Sequence, residues 1–264
     1  MKKTEIIKEK KIPDYPIETN IEGINKIHDQ LESCICQIYT QKLLGTGFFC
    51  YLNYNEKSIT LLVTNNHILA QNQICNGEVI TIFLNNNKNM RKIKIDEKRR
   101  RYTNIYYDIT FIEIKNTDNL GIKYMLLDDD IFKEEEFSNK LNRKCPLYVL
   151  FYKEREASVS FGILDKIDKN QIYHSCTTYS GASGGPILWL RTNKIIGIHR
   201  GADVSEEFNR GTAIICGIKD FLNCLEERNN NNINSRIKRE MHIKRNRKFE
   251  NNEISKNIPF EKKK

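Results

Sequence analysis

No stretch of this chain approaches the roughly 18 consecutive apolar residues that a membrane-spanning helix requires. Met1-Lys2-Lys3-Thr4-Glu5-Ile6-Ile7-Lys8 runs into further charge rather than into the apolar core of a signal sequence. No membrane partner is expected, and the reading is an intracellular protein, cytoplasmic or nuclear. C-x-x-C pairs are also missing, so the eight cysteines lack the spacing of a structural zinc site. Irregularly spaced and without a secretory signal, they read as reduced thiols. Several lie in apolar segments: Cys34, Cys36, Cys50, Cys176 and Cys216. Neither a metal nor a cofactor is expected. Long stretches of helical periodicity are scarce, which argues against alternating strand-and-helix architectures.

What remains is a chain of 264 residues with 39% hydrophobic content, enough for one large or two small cores. Its net charge of +9 is unevenly placed. From Arg228 to Lys264 the chain carries 12 Lys and Arg against 4 Asp and Glu, leaving the body before it nearly neutral. Two basic clusters, Arg236-Ile237-Lys238-Arg239 and Lys244-Arg245-Asn246-Arg247-Lys248, lie in that tail. Only Phe249 and Phe260 accompany them, too few for base stacking, so nucleic acid is not the expected partner. The tail reads as disordered, with an interaction or nuclear-import segment as its alternative use.

Along the chain, residues 1–33 form an N-terminal arm ending in a short amphipathic helix, where Ile21, Ile24, Ile27 and Leu31 recur at helical spacing. His28 is expected on the surface of that helix. From Cys34 onward, short apolar or alternating runs separated by Asn, Gly and charge take over. They recur on both sides of an acidic connector at 128–136, with runs at Cys34–Tyr39, Gly47–Tyr51, Ile59–Val63, Val79–Leu84, Arg91–Ile95 and Ile109–Ile114 before it. Leu147–Tyr152, Ser158–Ile163, Ile172–Cys176, Pro186–Leu190, Lys194–His199 and Thr212–Cys216 follow it. This texture points to an all-β protein, sandwich or barrel, in two units spanning 34–127 and 128–227. Ile218, Phe221, Leu222 and Leu225 then mark a closing helix before the tail at 228–264.

The chemistry gathers around Thr178-Tyr179-Ser180-Gly181-Ala182-Ser183-Gly184-Gly185-Pro186. Glycines at −2 and +1 let the backbone turn sharply at Ser183, exposing the hydroxyl and freeing nearby N–H groups to converge. A bland hairpin loop has the same composition, so a base and an orienting acid are needed to decide. His67 follows the apolar Thr60-Leu61-Leu62-Val63 and the polar Thr64-Asn65-Asn66, at the strand end where a histidine faces a cleft rather than a core. Asp108 immediately precedes the alternating run Ile109–Ile114, anchored on rigid structure and in want of a partner. Asp118 and the Asp128–Asp130 cluster sit in loop-like surroundings and compete poorly.

Thr64–His67, Tyr107–Ile112 and Gly181–Pro186, in the order His, Asp, Ser, resemble the three catalytic segments of the chymotrypsin-like serine peptidases. Gly45-Thr46-Gly47-Phe48 is similar to the strand that precedes the catalytic histidine. The resemblance implies two six-stranded antiparallel β-barrels with the active site in the cleft between them. It also implies an endopeptidase acting on a protein or peptide substrate. Ser183 would be the nucleophile, His67 the general base, Asp108 its orienting acid, and the N–H groups of Gly181 and Ser183 the oxyanion hole. Members activated by cleavage carry an aspartate just before the serine; Ala182 stands there instead, so activity without such cleavage is expected.

Gly197-Ile198-His199 with Thr177-Thr178 resembles the glutamyl endopeptidases, and also viral cysteine proteases that cut after glutamine. Thr178, His199 and Gly201 would then line the pocket for the residue before the scissile bond, with Glu expected first and Gln next. Arg200 either adds positive potential or faces solvent. His174 and His242 have no motif context and read as structural or surface residues. The rival reading is a catalytically inactive, protease-like module for binding proteins. A lipase-type hydrolase is disfavoured by the missing helices and by an Asp and a His that precede the Ser.

Overall fold

The computed structural model of the chain describes residues 18–40, 43–54, 57–128, 144–202 and 208–228. The first part of the expected arm, the connector beyond Asp128 and the tail beyond Arg228 lie outside the described residues. A compact unit ends at Ile218 and holds all the described strands; of a second unit, from Lys219, residues 219–228 are described and helical.

Helix α1 spans Ile21–Ser33, and Asn20 caps it by accepting the Gly23 N–H at 2.8 Å, which offsets the poor helix propensity of that glycine. Its buried face differs from the expected stripe. Ile27 and Gln30 are buried, whereas Ile21 and Ile24 are 78% and 54% exposed. Gln30 anchors the helix through its amide, donating to the Asn193 carbonyl and accepting the Tyr148 hydroxyl. His28 is exposed, as expected.

Seven strands form an antiparallel curled sheet: β1 (Ile35–Tyr39), β2 (Leu44–Tyr54), β3 (Lys57–Thr64), β4 (Val79–Leu84), β5 (Asn89–Lys94), β6 (Arg101–Asn104) and β7 (Ile109–Glu113). Their spatial order is β5-β4-β1-β2-β3-β7-β6. Alternation sets the faces: in β4, Ile80, Ile82 and Leu84 point into the core while Val79 is half-exposed. Six further strands close into a barrel ordered β10-β13-β12-β11-β8-β9. They are β8 (Pro146–Lys153), β9 (Glu156–Asp168), β10 (Gln171–His174), β11 (Pro186–Trp189), β12 (Ile195–Ala202) and β13 (Asn209–Ala213). The double-barrel, mostly β architecture is as expected.

Two details depart from the expected pattern. The first sheet has a seventh strand, β6, because Arg101-Tyr102-Thr103-Asn104 is a half-buried edge strand with no apolar alternation to announce it. The expected run Thr212–Cys216 ends as a strand at Ala213, and residues 214–228 are helical. Ile214, Ile215 and Ile218 continue the helical spacing backwards from Phe221, and a short apolar run alone does not distinguish helix from strand.

Asp118, set aside as a loop residue, is a buried structural carboxylate. It takes both Nη groups of Arg99 at 2.8 and 2.7 Å, while Arg99 also donates to the carbonyls of Lys94 and Glu113. Side-chain exposure is 3% and 7% for the two partners. Removing one partner strands a buried charge, so Asp118→Ala should lower unfolding stability by about 3–5 kcal/mol, measurable by urea denaturation.

Candidate active site

The peptide after β3 makes a single helical turn, with the Asn65 carbonyl accepting the N–H groups of Ile68 and Leu69, and this lifts His67 out at the sheet edge. Asp108 closes the β6–β7 hairpin with φ of +54°, a left-handed conformation that Asp tolerates better than most residues. Asn104 Oδ1 shapes that turn by accepting the N–H groups of Tyr106 and Tyr107. Side chains stitch the two segments together. Asn65 donates to the Asp108 carbonyl at 2.9 Å, Asn66 donates to Thr103, and the Thr110 hydroxyl donates to the Leu69 carbonyl.

This brings the Asp108 carboxylate, only 4% exposed, onto His67 twice. Oδ1 accepts the His67 backbone N–H at 2.9 Å, and Oδ2 lies 2.8 Å from Nδ1. With Nδ1 protonated towards the carboxylate, Nε2 is the basic nitrogen. A cation was not anticipated there: Arg200 Nε forms an ion pair with the same Oδ2 at 3.2 Å.

Thr46 of β2 holds the serine turn from across the cleft. Its N–H donates to the Ser183 carbonyl at 2.8 Å, its hydroxyl donates to the Gly181 carbonyl at 2.7 Å, and the same hydroxyl accepts the Tyr152 N–H. Thr64 in turn donates to the Thr46 carbonyl. Gly181 and Gly184 take φ of +96° and +89°, and a Cβ at Gly184 would collide with the Thr46 carbonyl and the Thr64 hydroxyl. Inside the turn, Ala182 N–H goes to Tyr179, Gly185 N–H to Ala182 and Gly184 N–H to His199. Among the described residues, the N–H groups of Gly181 and Ser183 have no acceptor. Ser183 Oγ donates to the Arg200 carbonyl at 3.1 Å rather than to His67. Transfer of its proton to His67 therefore requires rotation about the serine side chain.

His67 borders two depressions. One, of about 430 Å³, is lined by Asp108, Ile105, Arg200, Gly201 and Arg210; the other, of about 610 Å³, lies towards Tyr39, Leu43, Glu78 and Val79. His199 is 2% exposed and faces inward to a partner missed in the sequence: His174, fully buried, whose Nε2 is 3.2 Å from His199 Nδ1. The signal was the alternation Ile172, His174, Cys176, which puts all three on the buried side. Burial pushes both imidazoles down, His174 to about 4 and His199 well below the ordinary value, so the pair is neutral. Thr178 is half-buried on the segment leading into the turn, and among the described residues no hydrogen bond joins it to His199. All eight cysteines are free, as expected; burial raises the Cys50 and Cys176 thiols to about 12, which makes them inert.

The family of trypsin-like peptidase domains matches residues 45–198, more than half of the chain. The chain belongs to the trypsin-like peptidases. It is a serine-type peptidase, a hydrolase of protein or peptide substrates. The serine endoprotease from Yersinia pestis is similar at 12% identity, with a TM-score of 0.54 over 78% of this peptidase and 68% of that chain. The inactive form of Rv3671c from M. tuberculosis H37Rv is 14% identical, with a TM-score of 0.49 over 75% and 90% of the two chains. At 12% identity the likeness to the Yersinia protein is one of fold. No curated protein sequence matches this peptidase.

The neutral His174–His199 pair makes stability depend on pH. Unfolding releases both imidazoles to titrate near 6.5, so the unfolded chain binds more protons as pH falls. Stability present above pH 6.5 should decline towards pH 4, for His174 by on the order of 3 kcal/mol. In thermal melts across that range, His174→Gln should flatten the decline.

Proposed function

We propose that this peptidase cleaves through a Ser183–His67–Asp108 triad, and that it prefers Glu, then Gln, before the scissile bond. The observation that carries the triad is the doubly bonded His67–Asp108 pair beside a turn whose Gly181 and Ser183 N–H groups lack acceptors. On this reading Ser183 Oγ swings from the Arg200 carbonyl to His67 Nε2 and attacks the substrate carbonyl as the proton moves to the imidazole. Asp108 stabilises the imidazolium that forms, and the two N–H groups hold the oxyanion. His67 then returns the proton to the leaving amine, and water hydrolyses the acyl-enzyme by the same route. Ala182, buried beside the nucleophile, offers no carboxylate for a cleavage-released N-terminus to pair with, which supports activity without such processing.

The specificity reading rests on His199 together with the resemblance of its segment. The Cys176 N–H donates to His174 Nδ1, so His174 Nε2–H donates to His199 Nδ1. His199 is left with its proton on Nε2, a donor for a carboxylate or carboxamide oxygen. Thr178 and Gly201 belong to the same proposed pocket. Because the histidine pair is neutral, a bound Glu carboxylate favours its protonation whereas a Gln carboxamide does not.

A panel of peptides differing only before the scissile bond, with Ser183→Ala as the inactive control, tests both parts. Cleavage after Glu and Gln is expected, with the Glu:Gln ratio rising as pH drops from about 8 to about 6. Asp108→Asn should lower kcat by about 10⁴-fold. Cleavage confined to sites after Arg or Phe would discard the pocket. Failure of a fluorophosphonate to label Ser183 would discard the triad in favour of a protein-binding module.

A further inference from the structure

Arg200 touches both ends of the proposed catalytic constellation, the Asp108 carboxylate through its guanidinium and the Ser183 hydroxyl through its carbonyl. Its placement has a backbone cause. The pairing of β12 with β13 slips between His199 and Gly201, so Arg200 is the extra residue of a bulge. A bulge re-aims its side chain and leaves a carbonyl outside the ladder. The residue before it is pinned on both sides, since His199 N–H donates to the Gly185 carbonyl and the His199 carbonyl accepts the Gly184 N–H. Arg200 is thus held at a fixed height over the serine turn while its side chain crosses to the His67–Asp108 edge of the other sheet.

We propose that Arg200 is a positioning residue that holds the shared Asp108 carboxylate and tempers the field it exerts on His67. The proposal rests on the Ser183–His67–Asp108 reading. Oδ2 meets two partners at once, the imidazole in a hydrogen bond at 2.8 Å and the guanidinium in an ion pair at 3.2 Å. The guanidinium fixes the carboxylate, and its positive charge offsets part of the negative potential at the imidazole. The other charged or titratable groups around His67 are Arg210 in the same depression, Glu78 and Tyr39 in the opposite one, and the buried His199, which is neutral. Among the described residues, Arg200 is the cation that reaches the carboxylate.

The test is the pH dependence of fluorophosphonate labelling of Ser183 in the full chain. This reagent does not depend on the residue before a scissile bond, so the Glu preference can fail without affecting the result. In Arg200→Gln, which keeps a donor but loses the charge, the acidic limb of the labelling rate should move up by about half to one pH unit. The plateau above it should fall about tenfold as the carboxylate loses its third anchor. Arg200→Lys retains the charge, so its limb should stay with the wild type and its plateau should largely recover. An unmoved limb in Arg200→Gln, or a limb in Arg200→Lys displaced as far as in the neutral variant, overturns the proposal. Should Arg200→Gln lack a cooperative melt, the Arg200→Lys limb decides alone. Absence of labelling in the wild type at every pH overturns the triad reading, and this proposal with it.

Discussion

A carboxylate whose side chain is 6% exposed needs polar partners to replace the water it has lost, and Asp108 is built around that requirement. The left-handed turn at its own backbone aims the side chain, His67 supplies two N–H groups, and Arg200 supplies a cation. Each partner comes from a different structural device: the helical turn after β3, the imidazole it presents, and the bulge in β12. Satisfying one buried charge thereby fixes the relative positions of the hairpin, the histidine segment and the second barrel.

The serine turn depends on a second constraint of the same kind. Among the described residues its Gly181 and Ser183 N–H groups have no acceptor, while its carbonyls are taken up elsewhere. Thr46 does this from the opposing sheet with both its backbone N–H and its hydroxyl. Glycine at 181 and 184 is demanded twice, by positive φ and by the proximity of the Tyr152 and Thr46 carbonyls. Preorganisation of this type lets the donors act without moving during the reaction. The serine hydroxyl, in contrast, is held on the Arg200 carbonyl.

The histidine pair beneath Arg200 is governed first by desolvation, with mutual repulsion and His67 adding to it at His199. His174 and His199 share a proton-relay geometry, yet both are too deeply buried to carry charge at neutral pH. Their neutrality matters to the site above them, because it keeps a second positive charge from competing with Arg200 near His67. It also gives the proposed pocket a hydrogen-bond donor in place of a fixed cation.

Much of this was legible in the residues themselves. Period-two alternation and short turn-bounded runs announced the strands, and the order His67, Asp108, Ser183 with glycines around the serine marked three segments, of which the fold joins His67 to Asp108 by hydrogen bonds. Strand β6 escaped because an edge strand needs no apolar face, and the helix at 214–228 was entered too late because a four-residue apolar run fits either period. Arg200 and the His174–His199 contact were not legible. The direction of Arg200 follows from a register slip between β12 and β13, and the histidine contact joins residues 25 positions apart across a barrel. Local pattern determines which face of an element is apolar, because side-chain periodicity is a property of the backbone alone. Which polar groups meet across that face is decided by strand register and bulges, which exist only once the sheets have closed.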